Sequence, residues 1–348
     1  MFLLECCEFW ENYLNKSSLF LFSMVKIDKK DQKLLYYLNL DGRMSHTKLS
    51  QKIGLSKNAV KYRIERLKEV GVIDNFSCIV NLGALGITTF TLLLKFNEDI
   101  YESPEIINYF ENHNNADWVI TLSGQWDIFA EFVATDIVNY ASIIQGIINH
   151  FGDKLNTYTS FLSNDTLRVE HLVKDFYEDL DVENLPFKKR VSDYYNIDKV
   201  DKKIIATLSE DSSLSYLEIA RRLNLTIDIV RYRMKALVEK GIIIKFFPEI
   251  SLEKLGYIQY LYIIKLKNVS QEKINSLRKR IKNHHNIVYA FVDIHSLNII
   301  FVCQFKSPDQ IDHLSRGIRK EFDSIIKEQN YYFIKEDILF NLFPKALH

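Results

Sequence analysis

Two short segments carry the residues best equipped for chemistry in this chain, and they are nearly the same segment. "VKYRIERLKEVG" runs from Val60 to Gly71, and "VRYRMKALVEKG" runs from Val230 to Gly241. Each sets a basic-Tyr-Arg triplet (Lys61, Tyr62, Arg63; Arg231, Tyr232, Arg233) into a stretch with helical apolar spacing. At about 100° per residue, Val60, Ile64 and Leu67 share one stripe, as do Val230, Met234 and Leu237. Tyr62 and Tyr232 lie about 200° away on the outward face, where Asn58, Lys61 and Arg66 flank Tyr62. A helix that only packs on a core needs no outward aromatic among cations. A helix entering a major groove uses them: Lys and Arg meet phosphates or guanine edges, Asn reads adenine, and Tyr bonds to phosphate. The bland alternative is a solvated basic face with the Tyr lying flat on a neighbour.

The elements that must position these residues are repeated too. Residues 27–86 match residues 197–256 at 20 of 60 places without a gap, at an offset of 170. Asp28 is placed as an N-cap with Asp31 at N3, opening a helix over 29–40 that presents Leu34, Leu35 and Leu38. Ser45 caps a short second helix, and Gly54 (Asn224 in the second copy) breaks it in a left-handed turn. Ser56 and Thr226 cap the third helices, and Gly71 and Gly241 close them. Helix, helix, tight turn, helix is a helix-turn-helix, with "VIDNFSCIVN" and "IIIKFFPEIS" as wings. The candidate anion-facing set is therefore Ser56, Lys57, Asn58, Lys61, Tyr62, Arg63 and Arg66, then Thr226, Arg231, Tyr232, Arg233 and Lys235. The copies are unequal. Lys57 and Asn58 become Ile227 and Asp228, and Arg66 becomes Ala236, so the second helix is expected to bind more weakly or read a different half-site.

The 348 residues have zero formal net charge, which argues against a uniformly basic coat. The average hides segregation: residues 24–86 hold 12 Lys/Arg against 6 Asp/Glu (+6), whereas residues 87–185 hold 4 against 17 (−13). Residues 186–256 carry +4. Two separate anion-facing modules fit this pattern. The four cysteines show no CxxC pair or disulfide-framework spacing, which points to a reducing, cytoplasmic setting. Glu5, Glu8 and Glu11 interrupt the apolar start, so it reads as neither a signal peptide nor a membrane span. Met24 directly precedes the repeat, so residues 1–23 are set apart as an N-terminal extension of open origin.

After each wing comes "LGALG" or "LEKLG", then strand, helix, two strands, helix and strand, the ferredoxin-like βαββαβ order. The expected fold class is α+β, with two winged helix-turn-helix domains (24–86, 197–256), each followed by a ferredoxin-like domain (87–165, 257–348). A charged linker spans 166–196. This layout resembles the Lrp/AsnC (feast/famine) family of transcription regulators, carried by "LSQKIGLSKNAVKYRIERLKEVGVI" and more loosely by "IARRLNLTIDIVRYRMKALVEKGII". The resemblance implies double-stranded DNA as partner, no cofactor and no metal. It also implies a ligand-binding (RAM) domain that pairs sheet to sheet and takes an amino-acid effector at a Gly-x-x-Asp loop. "SGQWD" supplies Gly124 and Asp127 there, while the second copy reads "IHSLN", with His295 and Asn298 in those places. A plain β-turn is the alternative for the same loop. Two units in one chain imply an intramolecular pseudo-dimer, with a higher homo-oligomer left open.

Two rivals stand beside the regulator. The tandem layout is also similar to siroheme decarboxylases, and "HSLNIIF" echoes their active-site strand, although "NIVYAFVDI" upstream lacks the His and Arg such a site needs. The other is a ligand-sensing module with vestigial DNA binding, suggested by the weakened second repeat. There is no Gly-rich phosphate loop, HExxH or Cys/His zinc spacing; "HH" at 284–285 reads as a solvated helix end, and Trp118 and Trp126 as sheet core. The chain is expected not to be an enzyme.

Overall fold

The computed structural model describes residues 24–182, 194–267, 271–293 and 296–348. The 1–23 extension, most of the linker's second half and His295 lie outside the described residues. In the first copy α1 (Lys29–Leu40), α2 (His46–Ile53) and α3 (Lys57–Glu69) precede the wing strand β1 (Ile73–Val80). The βαββαβ unit then runs β2 (Thr88–Phe96), α4 (Pro104–Glu111), β3 (Ala116–Leu122), β4 (Ile128–Ala134), α5 (Ile137–Phe151) and β5 (Leu155–Val169). The second copy repeats the order. Its helices α6 (Lys199–Glu210), α7 (Tyr216–Leu223) and α8 (Ile227–Glu239) lead to the wing β6 (Ile243–Ile250). Then come β7 (Ile258–Leu266), α9 (Gln271–Lys282), β8 (Ile287–Asp293), β9 (Ile299–Phe305), α10 (Pro308–Phe322) and β10 (Ile326–Phe340).

The expected caps are present. The Asp28 carboxylate accepts from the Asp31 N–H, and Asp31 answers to the Asp28 N–H, closing a capping box. Gly54 (φ +68°) and Asn224 (φ +54°) make the left-handed turns that join α2 to α3 and α7 to α8. Val60, Ile64 and Leu67, with Val230, Met234 and Leu237, are buried. Each such side chain contributes about 1.5–3 kcal/mol to holding its helix down.

The two sheets of the βαββαβ units are not separate. They close into one eight-stranded barrel in the order β10-β3-β4-β2-β5-β8-β9-β7. The strands that close it are β5 and β10, at 15 residues each about 50 Å of extended chain. Residues 155–162 of β5 pair with β2 of the same unit, and 163–169 pair with β8 of the other. Likewise β10 pairs with β7 through Phe333 and with β3 from Ile334 onward. A bulge at Ser163/Asp165 and another at Ile334/Glu336 lie where each strand changes partner, re-aiming it from one sheet to the next. Here β5 outruns the 165 boundary read from the sequence. Its last residues look polar and linker-like because the partner that orders them belongs to the other unit.

Alternation sorts the apolar residues by face. Leu93, Ile120, Phe129, Leu261, Phe291 and Ile300 cluster inside the barrel. Phe90, Leu92 and Phe132 turn outward onto Ile106 and Phe110 of α4 and Ile143 and Ile147 of α5. Trp118 and Trp126 belong to the inner cluster, as expected of sheet core.

The wings are joined as well: β1 and β6 form an antiparallel two-stranded sheet. Across it each first helix meets the other copy's wing. The Gly42 N–H donates to the Phe246 carbonyl (2.8 Å), and the Ser212 N–H donates to the Phe76 carbonyl (2.8 Å). Among the described residues no helix is long and apolar enough to cross a membrane, and Cys78 and Cys303 are buried free thiols.

Gly42 has a use that its backbone angle alone does not reveal. A Cβ there would sit 2.8 Å from the Phe247 nitrogen, which is backbone and cannot swing away. Gly42→Ala is expected to lower stability by about 1–3 kcal/mol. Gly146→Ala, within α5 and with nothing inside 4 Å of the new Cβ, is expected to raise it by about 0.5–1 kcal/mol. Urea titration of the two variants checks both signs.

Candidate nucleic-acid interface

The outward face of α3 carries Lys57 and Lys61, with Glu65 exposed on the same helix. Ser56, Lys57, Asn58, Lys61 and Tyr62 are exposed, Tyr62 to 69% of its full area. Ser56 also accepts from the Ala59 N–H, so the helix starts with its first amides held and its N-terminus open to solvent. The imidazole of His46, at the start of α2, is pushed below its ordinary pKa by burial and then by Lys57 and Lys61. On α8, Thr226, Arg231, Tyr232 (72%) and Lys235 are exposed in turn. Arg231 is engaged by Asp228 on its own helix (3.1 Å), and Ile227 stands in the place of Lys57 beside it.

Arg63, Arg66 and Arg233 are not where an outward reading puts them. Arg63 reaches back to Asp28 (2.9 Å) and Asp31 (2.6 Å) at the N-terminus of α1, and Arg66 to the other oxygen of Asp31 (2.5 Å). Asp31 is fully buried, and a buried carboxylate stands only where charges compensate it. The two arginines supply that compensation, so they lock α3 onto α1 and project little into solvent. Arg233 repeats the device with Asp198 (2.7 Å) and Asp201 (3.2 Å). Ala236 stands at the place of Arg66, so the second clasp has one arginine where the first has two. The sequence shows the acids as caps and the arginines as surface. What it does not show is that α1 and α3 cross close enough for one to answer the other.

The loop holding Gly124 and Asp127 lies against the opposite unit. The Ser123 N–H donates to the Phe333 carbonyl (3.0 Å), and Gly124 takes φ +107° beside Tyr332. The Asp127 carboxylate is already occupied, with Lys95 on one oxygen and the Phe96 N–H on the other (both 2.8 Å). Asn298 does the same work in the second copy, accepting from the Leu266 N–H (3.2 Å). The shared role is to anchor the hairpin to the neighbouring strand.

The His pair at 284–285 also differs from expectation. His284 is largely buried and held down to about 4, chiefly by burial and then by Arg280. His285 gathers with Asp175 and Glu178, their candidate ligand atoms within 4.8 Å of one another, but Lys174 Nζ also stands 3.4 Å from His285. A cation in the cluster works against a metal ion there.

A winged helix-turn-helix DNA-binding model matches residues 27–74 and again 197–244. The chain is 30% identical over 144 residues to an uncharacterized HTH-type transcriptional regulator of Pyrococcus furiosus, covering 40% of this chain and 95% of that one. It is 34% identical over 125 residues to the transcriptional regulator AzlB of Bacillus subtilis, covering 34% and 78%. Among solved structures, the siroheme decarboxylase NirDL superposes over 92% of this chain and 97% of its own, with a TM-score of 0.61 and 13% identity. At that identity the likeness shows the tandem fold and nothing of the chemistry.

The clasp generates a pH dependence. Against the upward push of burial, the Asp31 N–H and Arg63 hold the Asp28 carboxyl below its ordinary value, and Asp198 is lowered mainly by the Asp201 N–H. A lowered folded-state pKa gives stability that is present above the unfolded value, about 3.9, and lost as pH falls through the folded one. Melting curves are therefore expected to drop steeply below about pH 4. Asp28→Asn, which keeps a capping side chain, is expected to flatten that drop. Asp31→Asn strands two arginines and is expected to cost about 3–5 kcal/mol at pH 7. Matched twice by the winged helix-turn-helix model, and 30% identical to a regulator covered over 95% of its length, this chain belongs to the Lrp/AsnC family of HTH-type transcriptional regulators, as a tandem duplication of its unit.

Proposed function

We propose that the protein is a sequence-specific double-stranded DNA-binding transcription regulator that carries both halves of its dimer in one polypeptide. The observation that carries this reading is the exposed basic face of α3, with its counterpart on α8, both fastened to one framework by the wing sheet and the barrel. A duplex offers half-sites one helical turn, about 34 Å, or a multiple apart. A chain that fixes two unequal recognition helices suits an operator with two unequal halves.

In this reading Lys57, Asn58, Lys61 and Tyr62 face the stronger half-site, with Ser56 at the helix start. Arg231, Tyr232 and Lys235 face the weaker one, with Thr226 as the cap. Arg63, Arg66 and Arg233 act as positioning residues. An amino-acid effector at the 123–127 loop, where the resemblance sets it, would meet backbone at Gly124, since Asp127 is committed to Lys95 and Phe96. We propose no catalysis: a fold likeness to NirDL supplies no reacting group. Titration with siroheme is expected to leave its absorbance unchanged, and a haem-type spectral shift would restore the enzyme reading.

Selection from a random duplex library, followed by mobility shifts, tests the regulator. Lys57→Ala with Lys61→Ala is expected to weaken binding by about tenfold or more, as two phosphate contacts are lost and the salt slope falls by about two. Arg231→Ala with Lys235→Ala is expected to cost less, because Asp228 already offsets Arg231. Equal losses would contradict the asymmetry. Equal affinity for random and selected duplex would remove specificity altogether.

A further inference from the structure

Between the two winged helix-turn-helix units lies a cleft of about 840 Å³. Its walls carry four rings, Tyr36, Tyr177, Tyr216 and Phe246, four cations, Arg43, Arg231, Lys235 and Lys245, and three carboxylates, Asp41, Glu170 and Glu239. Of the cations, Arg43 and Lys245 have no carboxylate ion-pair partner among the described residues. Arg43 gives Nη1 to the carbonyls of Ser212 and Leu214 (2.8 Å to the latter), and its guanidinium stacks over Tyr216 (5.3 Å) and Phe246 (5.5 Å). Its Nη2 and Nε have no protein acceptor among the described residues. Lys245 Nζ, deep in the wing, has only the Asn39 amide oxygen at 3.3 Å and the face of Phe247. Burial pushes it down to about 8, while Glu170, also in the wall, acts on it only through space. A cation withdrawn from water without a counterion is costly to hold, and an anion brought to it relieves that cost.

The duplication provides an internal control. The facing, pseudo-symmetric cleft of about 480 Å³ has His46, Phe76 and Ser213 at the places of Tyr216, Phe246 and Arg43. At the places of Tyr36 and Lys245 stand Ala206 and Asn75. Phe76 keeps a ring there and Arg43 reaches the wall of both clefts, so the difference between them lies in Tyr36, Tyr216 and Lys245, where the other side has Ala206, His46 and Asn75.

We propose that this cleft is a binding site, one per chain, for a flat aromatic dianion: a ring system bearing phosphate or carboxylate groups. The rings give the cleft an aromatic wall, with Arg43 already lying over Tyr216 and Phe246; Arg43 and Lys245 offer the charge, and the volume suits a small molecule and not a macromolecule. Arg231 and Lys235 of α8 line the same cleft, so its occupant would lie against the second recognition helix.

Calorimetric titration of the full chain without DNA tests this independently of the regulator reading. The probes are AMP, 2,6-naphthalenedicarboxylate and, as an anion without a ring, citrate. One site per chain for AMP or for the dicarboxylate is expected, with citrate at least about tenfold weaker; which of the two binds names phosphate or carboxylate as the group recognised. Lys245→Met, which keeps the stem and removes a buried charge, is expected to weaken binding about tenfold without lowering the melting temperature. Tyr216→Leu is the second variant, with the same expected loss, should the first fail to fold. Absence of binding by both ring compounds, citrate binding equally well, two sites per chain, or unchanged affinity in the folded variants would each overturn the proposal.

Discussion

Everything in this molecule depends on β5 and β10 each serving two sheets. A βαββαβ sheet has one face covered by helices and one face bare, and a bare apolar face in water is unstable. Here the bare faces of the two units meet and the long strands stitch their edges, so the barrel has no open edge among the described residues. Barrel closure is therefore more than packing, because it fixes how one unit sits against the other. The wing pair β1–β6 repeats the same device at the other end of the molecule. Two recognition helices then have a defined separation that a flexible tether would not give. In a dimer assembled from separate chains that geometry depends on concentration; in a covalent tandem it does not.

Fusing the halves also frees them from identity. In a symmetric dimer a substitution appears on both sides, so a cation placed for one purpose is repeated where it is useless. Here Asp228, Ile227 and Ala236 alter one recognition helix alone, while Lys57, Asn58 and Arg66 remain on the other. Lys245, Tyr36 and Tyr216 furnish one inter-domain cleft alone. The barrel is built from both halves, and the Arg63 clasp recurs at Arg233, while Arg66 has no counterpart in the second copy.

The local grammar of the fold was legible in the sequence. Capping boxes, left-handed turns, helical stripes and the βαββαβ order rest on residues near one another in the chain, and the structure places them where the spacing does. The misreadings are of one kind. Arg63 and Arg66 look outward by helical angle, yet a helical wheel assumes that the surrounding space is empty, and the buried Asp31 occupies it. Residues 166–169 read as linker because their pairing partner, β8, begins more than 100 residues later. Asp127 reads as a ligand group because its true acceptor role, toward Phe96, crosses between strands.

The clasp shows how positioning and recognition divide the charges of a single helix. Of the cations on α3, those at Lys57 and Lys61 lie on the face where a duplex would approach, whereas Arg63 and Arg66 meet the α1 terminus. A planar guanidinium bridges two carboxylates, which a lysine ammonium does less well, so arginine sits at the clasp and lysine at the free surface. Phosphate contact asks the opposite of a side chain: a mobile, strongly hydrated point charge adapts to a backbone whose position varies with sequence. The first helix thus keeps its adaptable charges for the ligand and spends its stiff ones on holding still. The second helix has one arginine fewer in its clasp, and Asp228 stands where the first has Asn58, which in the proposed reading goes with a weaker half-site.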